Sequence, residues 1–172
     1  MADVFVNKVA ESGIITINLE DFLHKEEVVV FDMKEYLFMG LVLKEKEFRE
    51  AIKQLDVSPF KNKMVTLTCT TDAIVPVWAY MLAASILKPV AKEIFFGLPE
   101  EAELKILLAN IKALDESQYF DQRIVIKGCG EKSIPEAAYV EITQKLRPVA
   151  KSIMYGEPCS TVPVFKKSIA RK

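Results

Sequence analysis

The sequence predicts an α/β domain with a largely parallel sheet, built from an internally duplicated βαβ unit and preceded by a β-containing lead-in. Residues 60–97 and 120–157 read as two copies of that unit. Segment 60–69 lies over 120–129, and Ile74 falls on Ile134. One residue then drops out. Pro76 falls on Pro135, Ala79-Tyr80 on Ala138-Tyr139, 87–92 on 146–151 and Gly97 on Gly156. Fourteen of 37 paired columns are identical, where unrelated segments give about two or three. Strand and helix patterns also alternate from residue 64 onward, and strands joined through helices run parallel with right-handed crossovers. Finally, 172 residues that are 51% apolar and 27% charged suit one ordinary domain with a solvated surface.

The elements follow in order. Val4, Phe5, Lys8 and Val9 sit at helical spacing, and Gly13 can close that turn. Segment 14–17 (Ile-Ile-Thr-Ile) is β-branched and reads as a strand, as does 28–31; His24 to Glu27 is the polar turn between them. Residues 32–43 read either way, as a short helix feeding a strand. Phe48, Ala51, Ile52 and Leu55 recur at i, i+3, i+4 and i+7, so 44–55 is an amphipathic helix, ended by Pro59. Segment 64–69 is a strand, 76–87 a deeply buried helix, and 93–96 a strand. Pro99 opens a connecting helix over 99–114, with Glu100 and Glu101 at its positive end. Segments 123–127, 135–146 and 152–155 repeat strand, helix and strand. The lead-in covers 1–58 and the tail 158–172, and no linker divides the chain, so 1–172 is expected to be one domain.

The totals exclude some functions. A formal charge of −1 argues against nucleic acid, whose phosphates need a basic face. Four cations fall within 166–172 and read as a solvated tail. The N-terminus lacks a cationic start followed by an apolar run, and the longest apolar stretch, 75–87, is interrupted by Pro76 and Ser85. A cytoplasmic protein with no membrane partner is expected, with three cysteines as free thiols, catalytic thiols or ligands.

Ligands of parallel sheets sit beyond the carboxyl ends of the strands. Cys69 and Cys129 end two strands, and Cys159 follows a third. Gly97–Glu100 overlays Gly156–Cys159, so Glu100 takes the place of Cys159, and Asp72 follows Cys69 by three residues. Three thiols with Glu100 or Asp72 have the composition of a zinc site or an iron–sulfur site, although these spacings match no metal knuckle. Cys129 or Cys159 can alternatively serve as a catalytic thiol; Gly128 and Gly130 leave the Cys129 backbone accessible, with Lys127 and Lys132 near in sequence. His24, the one histidine, reads as a surface residue. Gly128 and Gly130 also suggest a phosphate- or ligand-binding loop, against a plain strand-to-helix turn. Gly97 and Gly156 read as backbone devices, and Trp78, Tyr80 and Tyr139 as core, with an exposed aromatic near Pro76 able to line a pocket.

The strings 43–50 (LKEKEFRE), 72–81 (DAIVPVWAYM) and 153–163 (IMYGEPCSTVP) together resemble an uncharacterised bacterial family, domain-of-unknown-function family 2480. The resemblance spans nearly the whole chain. It implies a small soluble bacterial protein of about this length and carries no activity, cofactor or catalytic residue with it. Three readings stay open: a metal- or small-ligand-binding protein with zinc or iron as candidate cofactor, a thiol-dependent enzyme or redox protein, and a non-enzymatic homo-oligomeric interaction protein whose cysteines pack.

Overall fold

The computed structural model describes residues 13–128, 130, 133–157 and 160–168. The chain divides into two compact units, Met1–Leu23 with Ile106–Lys172, and His24–Lys105.

In the first unit, β1 (Ile14–Asn18), β7 (Arg123–Lys127) and β8 (Ser152–Glu157) run parallel in the order β1-β7-β8. In the second, β2 (Val29–Asp32), β5 (Met64–Thr68) and β6 (Glu93–Phe96) form a parallel sheet in the order β2-β5-β6. A hairpin, β3 (Leu37–Phe38) with β4 (Val42–Leu43), precedes helix α1 (Glu45–Lys53). Helix α2 (Val77–Leu87) crosses from β5 to β6, and α4 (Glu136–Leu146) from β7 to β8. Helix α3 is Pro99–Lys112. The α/β class with parallel strands stands as the sequence predicted. Strand order, which the sequence left open, puts the strands of 60–97 and of 120–157 in separate sheets.

Each unit has its own apolar core. In the first, Ile17, Ile124, Ile126 and Ile153 meet Ala138, Ile142 and Leu146 of α4 and Leu107 and Ile111 of α3. In the second, Phe31, Val65 and Leu67 meet Phe48 and Ile52 of α1 and Ala79, Ala83 and Leu87 of α2. All five residues of β5 are buried, as a central parallel strand requires. Its Thr66 is tolerated there because its hydroxyl donates to the Gly97 carbonyl at 2.7 Å.

Matching hydrogen bonds recur in the two βαβ segments. Asn62 N–H donates to the Val90 carbonyl and Asp121 N–H to the Val149 carbonyl, both at 2.8 Å. Lys92 N–H donates to the Lys63 carbonyl, and Lys151 N–H to that of Gln122. Asn62 and Asp121 both hold positive φ, at 58° and 55°. Met64 pairs with Glu93 as Arg123 pairs with Ser152. These pairs shift the first strand by one residue from the correspondence read in the sequence, so that Leu67 answers to Ile126 and Cys69 no longer falls on Cys129 in the alignment. The dropped residue is unnecessary. It had gained four side-chain identities that the backbone ladder does not follow.

A second correction concerns the tail. Residues 160–166, expected as turn and solvated tail, form strand β9 (Ser160–Lys166) antiparallel to β8. Lys167 is also held, its N–H donating to the Lys151 carbonyl at 2.9 Å. Pro163 breaks the alternation that would have marked the strand. The helix expected before Gly13 lies outside the described residues. Gly13 itself takes the expected left-handed conformation, with φ 61°.

Candidate functional site

The carboxyl ends of the strands are built by the same local device in both units. Asn18, ending β1, accepts the backbone N–H of Glu20 at 3.3 Å, and Asp32, ending β2, accepts that of Lys34 at 3.0 Å. Each cap turns the chain into a short 3-10 segment whose first residue, Leu19 or Met33, is fully buried. Asp32 goes further and accepts both the backbone N–H and the hydroxyl of Thr70, at 3.1 and 2.5 Å. Burial pushes its carboxyl up, but these donors and the Lys34 ammonium outweigh burial and hold it below the ordinary value. Tyr80, on α2, is pushed up by burial and then by the negative charge available to Cys69 and Asp32.

The sequence-predicted site residues are distributed as follows. Cys69 is half-buried after β5, and its thiol approaches the Thr71 carbonyl at 3.5 Å. Asp72 and Glu100 are exposed, the latter in the first turn of α3. Glu101, one residue on, takes the capping role there and accepts the N–H of Leu98 at 2.9 Å. Cys129 and Cys159 lie outside the described residues. Among the described residues, no group of three or more His, Cys, Asp and Glu side chains is placed to hold a metal ion.

Gly128 and Gly130 have a steric explanation. A side chain at Gly128 would run into the Tyr139 hydroxyl and Ile134, and one at Gly130 into the Glu20 carboxylate. The lead-in thus folds over the loop after β7 in the first unit. The buried Glu20 Oε1 makes no hydrogen bond among the described residues, and neither does the buried His24 Nε2. His24 is half-buried, where the sequence suggested a surface residue.

The clearance at Gly128 admits Tyr139 to an open groove of about 680 Å³ in the first unit. One wall is a stripe of α4 at i, i+3, i+4, i+7 and i+8: Glu136, Tyr139, Val140, Thr143 and Gln144. Met154 and Tyr155 of β8 and Val164 of β9 line the sheet side, with Ile126 and Ile134 at the carboxyl end of β7. Tyr139 and Tyr155 meet edge to face at 5.6 Å between ring centroids. The Thr143 hydroxyl donates to the Tyr139 carbonyl at 2.7 Å and keeps its lone pairs for an incoming donor. At the ends of β7 and β8, Lys127 and Glu157 pair at 3.7 Å.

The residues lining the groove are more polar than those at the matching positions of the first segment. By the hydrogen-bond correspondence, Glu136, Thr143, Gln144 and Tyr155 answer to Val77, Ala84, Ser85 and Phe96. The first segment thus carries Val, Ala and Ser at the three helix positions and Phe at the strand position, where the second carries Glu, Thr, Gln and Tyr. Sequence reasoning took Tyr139 as core and passed over Glu136 and Tyr155. The available signal was the comparison of paired columns for changes in polarity as well as for identity.

A family model described as "Protein of unknown function (DUF2480)" matches residues 3–167. Neither a curated protein nor a solved structure matches the chain. Among the described residues, no helix is long and apolar enough to cross a membrane.

Proposed function

The chain belongs to that family, which supplies no activity, and from the geometry we propose that the protein binds a small organic molecule in the groove between α4 and the β8–β9 hairpin. One observation carries the reading. The groove has the volume and mostly apolar lining of a ligand pocket, with a few polar groups that can orient a guest. One end of it, at Ile126, Ile134 and Glu136, lies by the carboxyl end of β7 and the N-terminus of α4, where ligands of parallel sheets collect. Binding, with no chemical step, is the function this arrangement supports.

NMR titration with naphthylethanol, a neutral bicyclic probe, tests it. Amide shifts are expected across 139–144 and 153–155, and Val140→Arg, at an exposed groove position, is expected to abolish them. Shifts scattered over the surface, or unchanged by Val140→Arg, would reject the groove as the site.

A second reading keeps a metal ion at the rim, held by Cys69, Cys129 and Cys159 with Glu100 or Asp72. Zinc or iron is the candidate, and Cys129 or Cys159 is the candidate nucleophile in its enzymatic variant. The supporting observation is Glu20, whose buried carboxylate oxygen makes no hydrogen bond among the described residues and packs against Gly130, in the loop that also carries Cys129 in the sequence. Elemental analysis of protein purified without chelator is the test. Less than about one-tenth of an equivalent of zinc or iron per chain counts against ligation.

A further inference from the structure

Resting on the binding reading above, we infer that the groove selects an organic amine, an ammonium head on an apolar or aromatic body. Glu136 is the one formally charged side chain among the described lining residues. It stands in the first turn of α4, after Pro135, which provides no side-chain cap. A helix N-terminus bearing no carboxylate would favour an anion. Here Glu136 already supplies the negative charge that the helix end attracts. Glu136 sets a full negative charge against the roughly half positive charge of its own helix end. An anionic guest is repelled and a cationic one is drawn in.

The tyrosines point the same way. Tyr139 and Tyr155 line the groove, and an ammonium is attracted to an aromatic face within about 6 Å of the ring centroid. Val140, Met154 and Val164 form the apolar wall against which the body of the guest would lie. The counterpart positions show what the scaffold carries without this demand: Val77 stands where Glu136 does, and Phe96 where Tyr155 does. A carboxylate, tyrosine rings and an apolar wall together are the chemistry that recognises amines.

Three probes with one bicyclic body separate the possibilities: naphthylethylamine, naphthylethanol and naphthylacetate, titrated into the full-length protein at pH 7 and low salt. The amine is expected to bind at least about fivefold more tightly than the alcohol, with the acid weakest. Glu136→Gln is expected to bring the amine to the level of the alcohol and leave the alcohol unchanged. Tyr155→Leu is expected to narrow the preference while an unchanged amide spectrum reports an intact fold. If the alcohol binds as well as the amine, if the acid binds best, or if Glu136→Gln leaves the preference intact, amine selection is overturned while binding at the groove stands. If none of the three binds, both fall.

Discussion

Asp32 and Thr70, at the ends of adjacent parallel strands, are joined by two hydrogen bonds to one carboxylate, from the Thr70 backbone and its hydroxyl. The Asp32 side chain is only 12% exposed, and the same carboxylate caps its own turn at Lys34. It therefore fixes the start of the loop holding Cys69. Because its pKa is depressed in the folded protein, its stabilisation is complete above the ordinary aspartate value near 3.9 and is lost as pH falls through the lower folded value. Asp32→Asn is expected to cost about 1–3 kcal/mol at pH 7. Its deficit relative to the unaltered protein is expected to shrink below about pH 4. Urea unfolding across pH 2.5 to 7 (about that range) checks both, and a pH-independent deficit would contradict the carboxylate's role.

The two left-handed glycines at the strand ends should respond differently to alanine. Gly97 and Gly156 hold φ at 121° and 118°, so both substitutions are strained. At Gly97 the new methyl meets the side-chain carboxylate of Glu101, whereas at Gly156 it meets the backbone carbonyl of Ser160. Gly156→Ala is expected to be the more destabilising, at about 2–4 kcal/mol against about 1–2 for Gly97→Ala, by chemical denaturation. The reverse order would show that the β8–β9 turn yields more readily than its geometry implies.

Gly128→Ala tests the link between the loop and the groove. The methyl would displace the Tyr139 hydroxyl. A loss of about 1–3 kcal/mol of stability is expected, together with weaker naphthylethanol binding and altered Tyr139 ring resonances. Full binding with unmoved Tyr139 signals would detach Gly128 from the site.

Leu87 and Leu146, each fully buried at the end of a crossover helix, anchor the second and first cores. Truncation of either to alanine is expected to cost about 2–5 kcal/mol in denaturant unfolding. A cost below about 1 kcal/mol at either site would mean that its core readily collapses around the missing atoms.

The parts of this fold written in short-range pattern were legible. The β-branched residues at 65, 66 and 68, the spacing of Phe48 and Ile52, and Pro99 followed by two glutamates each mark an element through residues within a turn or two. Asp32 was not legible, because its partner Thr70 lies 38 residues away and the pair exists only once β2 lies beside β5. The register of the two segments was misread by one residue because side-chain identity at Phe60, Val65, Cys69 and Ile74 outweighed backbone pairing, which a sequence does not display. At the groove, the stripe from Glu136 to Gln144 was readable as one helix face. That Val164 stands near it depends on β9, and the proline inside β9 had hidden the strand.

Strand β9 also covers an edge of its sheet. It occupies the outer edge of β8, pairing from Ser152 opposite Lys166 to Glu157 opposite Ser160. As the outermost strand among the described residues it presents Pro163, which has no N–H to offer a further chain, and it ends in Lys166. Deleting it would bare a ladder of unsatisfied amides and carbonyls along Ile153 and Tyr155, a template on which other molecules can stack into aggregates.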